Sequence, residues 1–99
     1  MADPRVETVA KILVDYSVEV KPNQLIRIAG GTAGAPLILA VYQKVLERGA
    51  HPSLRVEPEE AEELFFTYAK EAQLDYIPPF MKDMIEQIDA SIGIWTDVN

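Results

Sequence analysis

The stretch "LIRIAGGTAGAPLILA", residues 25–40, passes from a β-type apolar run through a glycine cluster into helix formers. Leu25 to Ala29 has the branched, apolar character of a short strand. Beyond the glycines, residues 36–48 predict a helix, in which Leu37, Ile38, Leu39, Val41, Tyr42, Val45 and Leu46 cover most of the circumference. A helix apolar nearly all round is expected to be heavily buried. Strand, tight glycine turn and helix N-terminus in succession make a common seat for a phosphate group. The same glycines can equally serve only to turn the chain, and both readings stand at this point.

Upstream, residues 4–18 predict a helix with Asp3 as its cap and Pro4 at its first position, where a missing N–H costs nothing. Val6, Val9, Ala10, Leu13 and Ser17 fall on one face at the helical period. Pro22 and Asn23 then favour a turn. Downstream, Gly49 stands where a left-handed C-terminal cap is wanted, and Pro52 prevents the helix from restarting. Ser53 to Val56 reads as a second strand, and "EPEEAEELFFTYAKEA", residues 57–72, as a third helix with glutamates crowding its start. After Pro78 and Pro79, the apolar spacing of Met81, Met84, Ile85 and Ile88 gives a fourth, amphipathic helix, and "ASIGIW" closes as a third strand.

Strands separated by helices imply an α/β fold whose parallel strands are joined by right-handed crossovers. The expected architecture is a three-layer sandwich with about three strands in the order 2-1-3 and helices on both faces. Residues 1–99 form a single α/β domain in this reading. Because little chain follows the third strand to cover that edge, the domain is expected to be a truncated piece of a longer protein.

A net charge of −7 argues against a general nucleic-acid binder, which needs a basic face, and equally against an anionic membrane surface. No cysteine is present, so neither a disulfide framework nor a thiolate metal site can form. The N-terminus has no basic start followed by an apolar core, and no apolar run approaches the ~18 residues of a membrane span. A cytoplasmic protein is the default expectation.

Aligned to the dinucleotide fingerprint G-x-G-x-x-G, Ala29, Gly31 and Gly34 occupy the three glycine positions, so the first is an alanine. Glu57 ends the second strand 23 residues past Gly34, near the spacing of an acid that binds ribose hydroxyls. Against a nucleotide, Pro36 removes one N–H from the first helical turn, and no lysine follows Gly34 to make a P-loop. The competing reading is a closely packed strand-to-helix turn with Thr32 as a helix cap. The acidic run Glu57, Glu59, Glu60, Glu62 and Glu63 lacks the glycine-centred spacing of a calcium loop and reads as a solvated helix start favoured by the helix dipole. His51 is the only histidine, too isolated for a zinc site or, with Ser53, for a catalytic triad. Asp97, after the third strand, sits where α/β folds place functional acids but stands alone. Trp95, Phe65, Phe66 and Phe80 read as core or interface, not as a stacking platform for bases.

The segments "DPRVETVAKILVDYSVEVKPNQLIRI", "APLILAVYQKVLERGAHPSLRV" and "EAQLDYIPPFMKDMIEQIDASIGIW" together resemble the N-terminal part of the thermophilic-type metalloaminopeptidases, the aminopeptidase T-like (leucyl aminopeptidase) family. The carriers are Tyr16-Ser17 with "VKP", the Pro36-Leu37 helix start, "GAHP" at 49–52, "LDYIPP" and the tryptophan closing the third strand. Asn23 stands where such sequences often have glycine. The resemblance implies an enzyme that removes N-terminal residues from peptides with a pair of divalent metal ions, zinc, cobalt or manganese, and that forms a homodimer. The implied ligands are carboxylates, histidines and a tyrosine of a C-terminal domain. No metal ligand and no catalytic residue is therefore assigned within residues 1–99, and the fragment alone is expected to be inactive and to bind no metal. Two rivals remain: a Rossmann-like nucleotide-binding domain using Gly31, Gly34 and Glu57, and a non-catalytic dimerisation module.

Overall fold

A computed structural model describes residues 3–95. The elements run α1 (Pro4–Ile12), a π-helical turn (Leu13–Ser17), β1 (Leu25–Gly31), a 3-10 turn (Thr32–Gly34), α2 (Ala35–Glu47), β2 (His51–Glu57), α3 (Glu60–Tyr68), α4 (Glu71–Leu74), α5 (Pro79–Gln87) and β3 (Ala90–Ile94). The three strands form one parallel sheet in the order β2-β1-β3, as the alternation of strands and helices predicts. Right-handed crossovers assign α2 and the α3–α5 excursion to opposite sides of this sheet.

The local start and stop signals act as read. The Asp3 side chain accepts from the Arg5 N–H at 2.8 Å, with Pro4 opening α1. α2 ends in a Schellman arrangement: Gly49 has φ +78°, its N–H reaches the Leu46 carbonyl, and the Ala50 N–H reaches that of Val45. Asn23, φ +70°, is the second left-handed residue at this edge, and its N–H donates to the Gly49 carbonyl at 2.9 Å. Asparagine tolerates that region better than most side chains.

Four boundaries differ from the sequence reading. β1 continues through Gly30 and Gly31, which pair with Val56 and Glu57 of β2, so these glycines belong to the central strand and the turn begins only at Thr32. β2 begins at His51 and contains Pro52, which an edge strand tolerates because a face of its backbone needs no partner. The helix expected over 57–72 breaks at Ala69, where ψ is 138°, and restarts as α4. Three aromatics and a threonine among Phe65–Tyr68 give the end of α3 weak helix propensity, and the Gln73 side chain captures the Lys70 N–H at 2.8 Å to start α4. Finally, the last turn of α1 widens into the π-helical turn, closed by Val18 N–H to Leu13.

Pairing in register puts Ile26, Ile28 and Gly30 on one sheet face with Leu54, Val56, Ile92 and Ile94. α1 and α2 cover that face, and Ala10, Val14, Val20, Ile26, Ile28, Ile38, Val41, Val45 and Ile92 make the core. Lys44 reaches Glu7 at 3.4 Å and Arg48 reaches Asp15 at 3.8 Å, weak partly solvated pairs that join α2 to α1 and to the π-helical turn. The buried face of α1 and the π-helical turn is Ala10 and Val14, while Val9 and Ser17 are exposed. α2 is buried along Ile38, Ala40, Val41 and Val45 only, and Leu39 is 61% exposed, so the all-round apolar pattern overstated its burial. The opposite sheet face carries Arg27, Ala29, Gly31, Ser53, Arg55, Glu57, Ser91 and Gly93, which are small or polar. β3 is tied in at its start by Asp89, whose carboxylate accepts from the Leu25 N–H at 2.8 Å and whose N–H donates to the Leu25 carbonyl at 2.9 Å.

This distribution of burial separates two kinds of apolar residue. Ile28→Ala removes a fully buried side chain of the central strand and is expected to cost about 2–5 kcal/mol in urea unfolding. Phe66→Ala, at a side chain 68% exposed, is expected to stay within about 0.5 kcal/mol of the parent. Comparable losses for the two would contradict the one-sided core.

Candidate functional site

The glycine segment lies at the C-terminal edge of the sheet, where α/β proteins place their sites. Neither fingerprint glycine uses left-handed backbone: Gly31 has φ −91° and Gly34 has φ −90°. Freedom of φ is thus not the reason for glycine here. Close approach is. A Cβ on Gly30 would run into the Ile94 carbonyl oxygen and come within 3.0 Å of the Ile38 side chain. On Gly34 it would lie 3.1 Å from the Ile94 Cγ2, and on Gly31 it would collide with the Glu59 carboxylate. The most constrained glycine is therefore Gly30, which the dinucleotide spacing leaves out.

The collision at Gly31 points to the group that organises this edge. Glu59, from the segment leading into α3, folds back over the turn. Its Oε1 accepts from the Ala33 N–H at 2.5 Å and its Oε2 from the Thr32 hydroxyl at 2.7 Å. The Ala33 N–H first, and the Thr32 hydroxyl second, hold the carboxyl below its ordinary value of 4.5. A carboxylate on the free N–H of a helical N-terminus is the arrangement that the helix dipole favours for an anion. The chain thus supplies its own anion at the place where a phosphate would seek donors. Thr32 is correspondingly not a helix cap: its hydroxyl donates to Glu59, whose carboxylate takes the Ala33 N–H instead, and the N-cap positions Gly31 and Gly34 make no side-chain cap of their own.

The other candidates are scattered. Glu57 pairs across the ladder with Gly31, and its carboxylate takes the Arg55 guanidinium at 2.8 Å. His51 starts β2 at the opposite, N-terminal edge; its backbone N–H donates to Gln24, and its side chain is exposed. Ser53 stands beside Arg27 in the ladder, with no hydrogen bond to His51. Asp97 lies outside the described residues. Glu60, Glu62 and Glu63 occupy the first turn of α3, as read from the sequence. Phe65 and Phe66 meet edge to face at 5.4 Å, but Phe66, Phe80 and Trp95 are largely exposed and belong to no core. Arg27, which the sequence reading passed over, has its Nε buried with no hydrogen-bond partner at the centre of the polar sheet face. Among the described residues no group of three or more His, Cys, Asp or Glu side chains could hold a metal ion. The described side chains therefore do not fit a metal pair. Among the same residues, no helix is long and apolar enough to cross a membrane.

A narrow parallel sheet with an internally capped strand-to-helix turn defines an α/β domain that lacks a metal-ligand set among its described residues. The chain belongs to the thermophilic metalloprotease (M29) family, which matches it over residues 2–99. Comparison with curated proteins gives no match. Membership places the chain in a metalloprotease and implies a metal cofactor for that class of hydrolase.

Two measurements test the reading of the turn. Gly30→Ala is expected to destabilise by about 1–3 kcal/mol through overpacking against the Ile94 backbone, and Gly34→Ala by less, because the Ile94 side chain can shift. Equal, small effects would remove the close-approach argument. Because the Glu59 carboxyl is depressed in the folded state, its contribution is fully present above the unfolded value and is lost as pH falls through the folded one. Glu59→Gln should therefore lower the Tm at neutral pH, and the gap to the parent should close as the pH drops below 4.5. A gap independent of pH would show that the charge on Glu59 contributes nothing.

Proposed function

We propose that residues 1–99 are the N-terminal α/β domain of a dinuclear-metal-dependent aminopeptidase, whose metal ligands and catalytic groups lie in a C-terminal part of a longer polypeptide. The carrying observation is the family match over residues 2–99, combined with a residue set in which no ligand cluster occurs among the described positions. In this reading a pair of divalent ions, zinc, cobalt or manganese, would be held by residues of that C-terminal part and would supply Lewis-acid chemistry there. The domain's own task is structural: its sheet and helices form part of the wall around the peptide site of a homodimeric, cytoplasmic enzyme. Glu59 seated on the Ala33 N–H favours that role over a nucleotide-binding one, since a phosphate would first have to displace a hydrogen-bonded carboxylate.

The 99-residue chain, supplied with zinc, cobalt or manganese and an aminoacyl chromogenic amide, is expected to show no hydrolysis above the buffer. The whole protein under the same conditions should cleave the substrate, lose activity with EDTA, and spare the N-acetylated analogue. EDTA-sensitive cleavage by the 99-residue chain would overturn the proposal, and cleavage of the blocked substrate would overturn its exopeptidase part.

A further inference from the structure

The excursion between β2 and β3, residues 58–88, is at odds with the rest of the fold. α3, α4 and α5 contain no buried residue. The excursion nevertheless carries large apolar side chains that stand in solvent, among them Phe66 of α3 at 68% and, between α4 and α5, Tyr76 at 66% and Ile77 at 74% exposure. Leu64, Phe65, Tyr68, Leu74, Tyr76 and Pro78 line an open groove of about 1030 Å³ between α3, α4 and the segment that follows. A second hollow, lined by Ala61, Phe65 and Phe66 with Glu57 and Glu62, adjoins it through Ala61 and Phe65. Exposed apolar surface that is contiguous and aromatic marks an interaction face.

Charge restricts what can cover it. Residues 58–88 hold eight acids, Glu59, Glu60, Glu62, Glu63, Glu71, Asp75, Asp83 and Glu86, against Lys70 and Lys82. Six of the seven net negative charges of the chain thus lie on this one excursion. Apart from Glu59, which is seated on the glycine turn, these acids are all exposed and none forms an ion pair among the described residues. Two copies of the same face would oppose like charges throughout, which disfavours self-association. The excursion is also lightly held: among the described residues, its only hydrogen bonds to the rest of the fold run from Thr32 and Ala33 to Glu59.

We infer that the α3–α5 face is a docking surface for a polypeptide surface that is both apolar and basic, contributed by the catalytic part of the same protein. The inference rests on the proposed function, which places that part in the same polypeptide. Phe65, Phe66 and Tyr76 are the anchors in this interface, since aromatic side chains carry most of the energy in such contacts. The acids around them select a partner bearing lysine and arginine, and Glu59 fixes the angle at which the excursion leaves the sheet.

Hydrogen–deuterium exchange tests this on the whole protein and on the 99-residue chain. Amides of Glu60–Tyr68 and Pro79–Gln87 are expected to exchange on the order of tenfold or more slowly in the whole protein, with those of β1 protected in both. Phe66→Asp in the whole protein should return fast exchange to α3 and α5 and leave β1 protected. Glu63→Lys combined with Glu86→Lys should do so in part, as should raised salt. Equal, fast exchange in the two forms, with β1 protected, would overturn the docking surface and leave the proposed function standing. A dimer of the 99-residue chain that Phe66→Asp dissociates would overturn the assignment of the partner. A natural protein that ends at Asn99 would overturn docking and proposed function together.

Discussion

The fold depends on β1 being approached from both sides at once. A central parallel strand must hydrogen-bond to two neighbours, and here it must also admit the start of α2 across its end. That is possible only where the strand carries no side chain, because the Ile94 carbonyl and the Ile38 methyl already fill the space beside Gly30. Once this contact exists, the rest follows in sequence. The turn at Thr32–Gly34 can be short, α2 can begin at once, and its Ile38, Val41 and Val45 fall on Ile26, Ile28 and Ile92. A parallel sheet this narrow has no spare strand to absorb a displacement, so a shift at Gly30 would reach β3 directly.

What was legible in the sequence was what neighbouring residues decide among themselves. Asp3 with Pro4, and Gly49 after Leu46, signal helix ends within a few positions, and the structure uses each in that way. The strand order follows from the alternation of element types, which is equally a property of the string. Glu59 was not legible, because it lies 27 residues from Thr32 and its local context is only a run of glutamates before a helix. The same holds for Gly30. A fingerprint counts positions along the chain, whereas the need for glycine came from Ile94, which arrives at that place through the fold. Period also told which faces of α2 and α3 are apolar without telling whether anything covers them. Leu39 and Phe66 satisfy helical spacing as well as Ile38 does, yet only Ile38 is buried.

The glycine cluster illustrates how a motif can have its geometry and not its ligand. Strand, turn and helix start are all present, with an anion on the Ala33 N–H. The anion belongs to the protein. An internal carboxylate satisfies the same unpaired donor, favours the same end of the dipole, and ties the next crossover to the first. Such an arrangement spends the turn's free donor on holding two crossovers of the chain together.

The Asp89–Leu25 pair has one further consequence. Leu25 meets His51 of β2 across 26 residues, but Asp89 across 64. By loop-closure entropy that longer separation costs only about 0.8 kcal/mol more. Two hydrogen bonds at Leu25, one of them to a carboxylate, are enough to offset it. Anchorage of β3 is therefore almost indifferent to how much chain lies between the edge strand and Asp89. The connecting segment can lengthen, shorten or change its helices with little effect on the sheet, which makes it the region of this fold most open to insertion.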